Sequence, residues 1–308
     1  MKILVTGARG QLGRDLIVEL VSRGMDAVGT DLPETDGGDG LCPYFPMDIT
    51  DAAAVRKKIA ALKPDAVIHC AAWTAVDAAE EVENREKVFA VNGGGTRNIA
   101  AACRETGCRM MYISTDYVFD GTGCDPIPPD KSEYAPLNVY GRSKLEGEKA
   151  VSELLGAFFI VRTAWVFGAN GQNFVRTMLR AGKKFDRVRV VNDQVGTPTY
   201  TPDLAALLAD MIVTDRYGYY HATNEGGCIS WYDFCREIYR QAGLKTEVVP
   251  VTTAQYGLSK AARPFNSRLD KSKLSENGFT PLPAWQDALR RYIRYLKDHD
   301  PEMRWLNE

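Results

Sequence analysis

Two side chains in this sequence make a device for moving a proton: Tyr140 and Lys144, within Tyr140-Gly141-Arg142-Ser143-Lys144. Residues four apart lie on one face of a helix, one turn from each other. A free phenol has a pKa of about 10. An ammonium one turn away favours the phenolate, which makes the phenol a better proton donor near neutral pH. Ordinary helix surfaces also produce Tyr-x-x-x-Lys pairs, so the pair takes its meaning from its surroundings. Upstream, Ser114-Thr115-Asp116 closes the run that starts at Arg109. Turns and caps use such residues too, but at the carboxyl end of a sheet strand they can reach a ligand.

The elements that must position these groups can be read in order. Lys2 to Thr6 has the pattern of a short buried strand, and Gly7-Ala8-Arg9-Gly10-Gln11-Leu12-Gly13 follows it. A helical pattern continues through Leu16, Ile17, Leu20 and Val21. Glycines at 7, 10 and 13 permit a tight turn, close backbone approach and close helix–strand packing; the helix start then offers free N–H groups to a pyrophosphate. The spacing is G-x-x-G-x-x-G rather than the commoner G-x-G-x-x-G. The next strand, Met25 to Asp31, ends in an acid placed to accept from the hydroxyls of an adenosine ribose, which favours NADH. Arg9 could instead meet a 2′-phosphate and admit NADPH, so the choice stays open. Asp48 and Ile49 end a strand near adenine, and Thr50 or Asp51 caps a helix from Ala52 to Leu62. The apolar run Ala66 to Ala72 suits a strand covered on both faces. Its small residues Ala71 and Ala72 leave room for a cofactor, and Thr74 can add a hydrogen bond. A charged helix begins over Asp77 to Val82. Val91 to Thr96, with its glycines, interrupts the helical pattern; Asn92 there bonds backbone, either near the active site or only locally. A Gly- and Asp-rich loop covers 34 to 40.

Pro136 and Asn138 open the helix carrying Tyr140 and Lys144, and Phe158 to Thr163 is a further buried strand. Alternating strands and helices imply right-handed βαβ units, hence an α/β fold with a doubly wound parallel sheet. Later elements are less regular: helices over Phe174–Leu179, Pro202–Val213, Trp231–Ala242 (capped by Ser230) and Trp285–Leu296, with strands at Val188–Val191, Tyr219–Ala222 and Val248–Val251. They suggest a smaller, mixed α/β C-terminal substrate lobe. The expected division is 1–160 plus about 183–215 for dinucleotide binding, and about 161–182 plus 216–308 for substrate.

Composition narrows the partners. The 308 residues carry 38 Lys+Arg and 40 Asp+Glu, a net charge of −2, with 45% hydrophobic residues. That is a globular composition with no bulk attraction to nucleic acid or acidic membranes. No run approaches the roughly 20 apolar residues of a membrane span, and the apolar start is too short for a signal peptide. The seven cysteines form no C-x-x-C and read as reduced, buried thiols of a cytoplasmic protein. The three histidines are scattered, and His69 reads as packed or hydrogen-bonded, so no metal site is expected.

Several strings resemble the dTDP-4-dehydrorhamnose reductase family of extended short-chain dehydrogenases/reductases. They are Gly7 to Gly13, Ala71-Ala72-Trp73-Thr74-Ala75-Val76-Asp77, Ser114-Thr115-Asp116-Tyr117-Val118-Phe119, Leu137 to Lys144, Arg162-Thr163-Ala164-Trp165-Val166-Phe167, Asn192-Asp193-Gln194, and Arg263 to Leu269. The likeness spans nearly the whole chain. It implies a Rossmann fold and NAD(P)H-dependent reduction of the C4 ketone of dTDP-4-dehydro-L-rhamnose. By the same likeness Tyr140 is the general acid, Lys144 binds the nicotinamide ribose, and Thr115 hydrogen-bonds the reacting oxygen. Asp116 and Trp165 hold the sugar, and Arg263 meets the diphosphate. Trp73 stands where some relatives carry His. Some relatives gather acids around Mg²⁺ at a dimer contact; Pro202 stands near that place here, so the resemblance leaves a homodimer open and no metal is expected. A dehydratase of the superfamily needs Thr-Asp-Glu where this chain has Thr115-Asp116-Tyr117. The other readings are a related nucleotide-sugar reductase or epimerase, or a non-catalytic regulatory subunit, which some relatives are for methionine adenosyltransferase.

Overall fold

The computed structural model describes residues 1–32 and 40–307. All but the last residue of the loop expected over 34 to 40 falls outside them.

Seven strands form one parallel sheet: β1 (Lys2–Thr6), β2 (Asp26–Asp31), β3 (Tyr44–Pro46), β4 (Ala66–His69), β5 (Arg109–Thr115), β6 (Phe158–Thr163) and an edge strand, Gly218–His221. Their order is β3-β2-β1-β4-β5-β6-edge. The direction of winding reverses between β1 and β4, and such a reversal opens a crevice beyond the strands' carboxyl ends. The strands are apolar on both faces because both are covered. Ile3 and Val5 point to one side, against α1 (Gln11–Ser22) and α7 (Thr201–Ile212). Leu4, between them, points to the other, against α2 (Ala52–Leu62) and α4 (Thr96–Thr106). Each such fully buried aliphatic side chain contributes about 1.5–3 kcal/mol.

Local chemistry sets the helix ends. Asp51 accepts from the Ala54 amide at 3.0 Å to start α2, and Lys63, at φ 49°, ends it before Pro64. Asn138 accepts from the Gly141 amide at 2.7 Å and starts α5 (Val139–Leu154). Ser230 and Asp233 form a reciprocal cap on α8 (Trp231–Ala242).

Three expectations need correcting. The strand begun at Ala66 ends at His69, because Cys70 to Ala72 turn to line the crevice. Asp77 to Val82 holds a short 3₁₀ turn before α3 (Val82–Phe89). The glycines at 93–95 do not break the helix: Ala90–Gly95 is a π turn joining α3 to α4. Two later strands belong to different sheets. Arg187–Val191 pairs in parallel with Glu247–Val251 beside α6 (Phe174–Lys184) and α8, inside the smaller lobe. Gly218–His221 instead pairs with β6 and completes the large sheet, where Tyr220 packs on Phe159. Partner strands distant in sequence decide both placements.

All seven cysteines are free; Cys103, Cys108 and Cys235 are buried, while Cys124 and Cys228 are exposed, contrary to expectation. Among the described residues no helix is long and apolar enough to cross a membrane.

Candidate active site

A cleft of about 800 Å³ opens over the carboxyl ends of β1, β4 and β5. Its walls include Tyr140, Lys144, Thr115 and Asp116, together with Gly7, Gly10, Gln11, Leu12, Gly13, Asp31, Asp48, Ile49, Ala71, Ala72, Thr74 and Trp165. Of the residues expected at the site, Arg9 lies outside its lining, and so does Arg263. Its guanidinium is held by Asp77, at 2.7 and 3.1 Å. That contact spans 186 positions, which no local pattern announces.

Tyr140 and Lys144 lie one turn apart on α5, as their spacing requires. The electrostatics differ from expectation. Burial pushes the Tyr140 phenol above its ordinary range; the charge of Asp116 adds to this, and a hydrogen bond with Thr115 opposes it. The Lys144 Nζ donates to the Ile113 carbonyl at 2.7 Å and sits 4.1 Å from the Tyr112 ring centre. Burial pushes the lysine amine down to about 7, against the pull of Glu148 and Cys70. Below α5, the Asn92 side chain accepts from the Trp73 amide at 2.8 Å. It donates to the Trp73 carbonyl at 3.1 Å and the Ser143 hydroxyl at 2.9 Å. Asn92 thus bonds backbone 19 positions away, beside α5.

The glycine turn fits a dinucleotide. Gly7 has φ +65°, and a Cβ there would stand 2.6 Å from the Ala71 nitrogen; one on Gly13 would stand 2.1 Å from the Gly7 oxygen. Only hydrogen at those positions lets the loop, α1 and the β4 end close up. Gly10 begins α1 with no side-chain cap, and no acid occupies the first turn, so its amides remain available to an anion. Asp31 accepts from the amides of Arg9 and Leu32, both at 2.9 Å, which fixes the carboxylate at the β2 end. Arg9 lies outside the large cleft, its guanidinium 5.3 Å from the Tyr44 ring centre.

At the other end of the cleft Asp116 is 3% exposed. It accepts from Ser267 at 2.5 Å and Thr115 at 2.9 Å. Burial pushes its carboxyl up to about 6, with those two hydroxyls opposing. Trp165 has a left-handed backbone, φ +51°, and its ring stacks on Trp231 at 3.6 Å. Phe174 packs on Trp231 at 4.5 Å, and all three rings line the cleft. Sequence reasoning missed Trp231 and Phe174. Their signal was an aromatic in the first turn of two helices whose caps were readable.

His69 is structural, as expected: its ring nitrogens meet the hydroxyls of Thr6 at 2.6 Å and Thr96 at 3.2 Å. Burial pushes it down to about 3, so it stays neutral. Among the described residues there is no group of three or more His, Cys, Asp or Glu side chains able to hold a metal.

Known proteins resemble the chain throughout. The family model described as the RmlD substrate binding domain matches residues 1–297. A dTDP-4-dehydrorhamnose reductase of Streptomyces griseus is 44% identical over 292 residues, 93% of this chain and 91% of the relative. A dTDP-4-keto-6-deoxy-D-glucose reductase of Streptomyces niveus is 38% identical over 294 residues, 95% of this chain and 97% of the relative. The crystal structure of a dTDP-4-dehydrorhamnose reductase from Bacillus anthracis in complex with NADP superposes with a TM-score of 0.85. It is 38% identical, covering 96% of this chain and all of the other. The chain therefore belongs to the RmlD family, that of the dTDP-4-dehydrorhamnose reductases.

Proposed function

We propose that this protein reduces the C4 ketone of dTDP-4-dehydro-L-rhamnose with NADPH or NADH, giving dTDP-L-rhamnose. The observation that carries the reading is one cleft that joins a glycine cradle for a dinucleotide to Tyr140, Thr115 and Lys144. A reduced nicotinamide held in this cradle would supply a hydride to the ketone carbon. Tyr140 donates its proton to the oxygen that becomes the alcohol, as a general acid. Thr115 now donates its hydroxyl proton to Asp116 at 2.9 Å, and would bond the same substrate oxygen by turning that proton toward it. Lys144 binds the nicotinamide ribose. Asp116 and Trp165 hold the sugar, with Trp231 and Phe174 backing Trp165. Arg263 would reach a diphosphate only by exchanging its bonds to Asp77. We assign the dinucleotide to the lobe of the parallel sheet and the sugar nucleotide to the smaller lobe, in a cytoplasmic protein.

The test is loss of NAD(P)H absorbance with enzymatically made ketosugar, and identification of the product sugar. Oxidation that requires the ketosugar supports the reading. Tight NAD(P)H binding without turnover, under conditions where a known reductase works, would favour a non-catalytic subunit. The Streptomyces niveus relative keeps a second substrate in view, and dTDP-4-keto-6-deoxy-D-glucose belongs in the same assay.

A further inference from the structure

Behind the catalytic face of α5 lies an ion pair that the chemistry above does not use. Glu148 stands one turn beyond Lys144 on α5, and Arg162 stands on β6. Their side chains are 2% and 0% exposed. The carboxylate accepts from Arg162 Nε at 2.8 Å and Nη2 at 2.7 Å, and from the Ser114 hydroxyl at 2.5 Å. The guanidinium also donates to the Pro129 carbonyl at 2.9 Å and the Tyr134 hydroxyl at 3.0 Å. It packs 4.9 Å from the ring centres of Phe119 and Tyr219. One ion pair thus ties β6, the β5 end, the connection leading into α5, and α5 itself. Buried ion pairs are often no more stabilising than apolar residues of the same volume, so stability alone does not account for this one.

The pair also faces Lys144 electrically. The groups around that amine are Tyr140 and Glu148 on α5, His69 on β4, Cys70 beyond it and Tyr112 on β5. His69 is neutral, and burial pushes the Cys70 thiol up to about 12. The Tyr112 and Tyr140 phenols are likewise raised and neutral. Glu148 is the carboxylate of this group, and Arg162 tempers it. His221, 3.4 Å from Arg162, is buried and neutral.

We propose that Arg162 and Glu148 are positioning residues for the reduction: the bidentate pair sets α5 against the β5 end, and the Glu148 charge holds Lys144 as the ammonium that the cofactor ribose needs. This rests on Lys144 being the ribose contact. The test is the pH dependence of NADPH affinity, measured with kcat and KM on wild type, Glu148→Gln, Arg162→Met and Lys144→Met. In wild type, affinity falls above the pH at which Lys144 loses its proton. Glu148→Gln leaves the Arg162 cation unbalanced and moves that limb to lower pH by about one unit. Arg162→Met leaves the carboxylate unbalanced and moves the limb the opposite way. Lys144→Met flattens it. A limb that survives in Lys144→Met refutes the ribose contact itself. A limb lost there but unmoved in Glu148→Gln and Arg162→Met, with only kcat lowered, refutes the inference and leaves a packing role. Should one of the two variants fail to fold by circular dichroism, the sign of the other's shift decides.

Discussion

Gly13→Ala is the sharpest probe of the cofactor cradle. Gly13 sits in the first turn of α1 and has no left-handed backbone, so alanine is conformationally welcome. Helix propensity alone favours the change by about 1 kcal/mol. The obstacle is contact: the new methyl would stand 2.1 Å from the Gly7 oxygen and 2.8 Å from its carbonyl carbon. Both are backbone atoms, so no side chain can swing aside, and α1 must move away from the turn by about 1 Å to relieve the clash. Overpacking of this kind costs about 1–3 kcal/mol, which the propensity gain partly offsets, for a net destabilisation of about 0–2 kcal/mol. Binding should suffer more than folding, because the displaced turn is the one proposed to meet the pyrophosphate. Loss of a hydrogen bond to a charged group costs about 1.5–3 kcal/mol, so the NADPH Kd should rise by about ten- to a hundredfold. Fluorescence titration of NADPH gives the Kd, and thermal unfolding gives the stability change. Gly24→Ala is the control: its φ is +69° and nothing lies within 4 Å of the added carbon. It should lose about 1–2 kcal/mol for the left-handed backbone with an unchanged Kd. A Gly13→Ala protein that binds NADPH within twofold of wild type would refute the placement of the cofactor in this turn.

Tyr140→Phe should lower kcat by about 10²–10⁴-fold with little change in NADPH affinity, because it removes the acid and keeps the ring; a kcat within tenfold of wild type would remove the phenol from the mechanism. NADPH affinity should be flat at low pH and weaken as pH rises through the Lys144 value of about 7. In the proposed mode the ribose binds the protonated amine, so the slope is at most about tenfold per pH unit; titrations across that range check it. Asp116 has its folded value raised to about 6. Its contribution to stability is therefore intact below the ordinary carboxylate value and lost as pH rises through 6. Asp116→Asn should raise the melting temperature relative to wild type above pH 6 but not in acid, while raising the KM for the ketosugar.

The sequence displays what depends on near neighbours. The glycines, the Tyr140–Lys144 pair and the caps at Asp51, Asn138 and Ser230 each act over a few residues, and all are where their spacing puts them. The parallel sheet was legible for the same reason, its strands being continuous apolar runs. What escaped depends on distant partners. Gly218–His221 is too short to reveal that β6 is its neighbour. Arg187–Val191 has the look of any half-exposed strand until Glu247–Val251 arrives beside it. Arg263 resembles a free anion-binding cation until the fold delivers Asp77. The raised phenol of Tyr140 follows from burial and from Asp116, two features of the assembled cleft rather than of the helix.

The interleaving of the lobes has a mechanical consequence. The chain passes from the parallel sheet to the smaller lobe after β6, returns for α7 and the edge strand, leaves again for α8, returns to bury Leu274 and Phe279, and leaves for Trp285–His299. No single linker joins the halves, so one proteolytic nick cannot release either as an independent fragment. Any breathing of the cleft has to bend every one of these connections together, and that makes the jaw stiff.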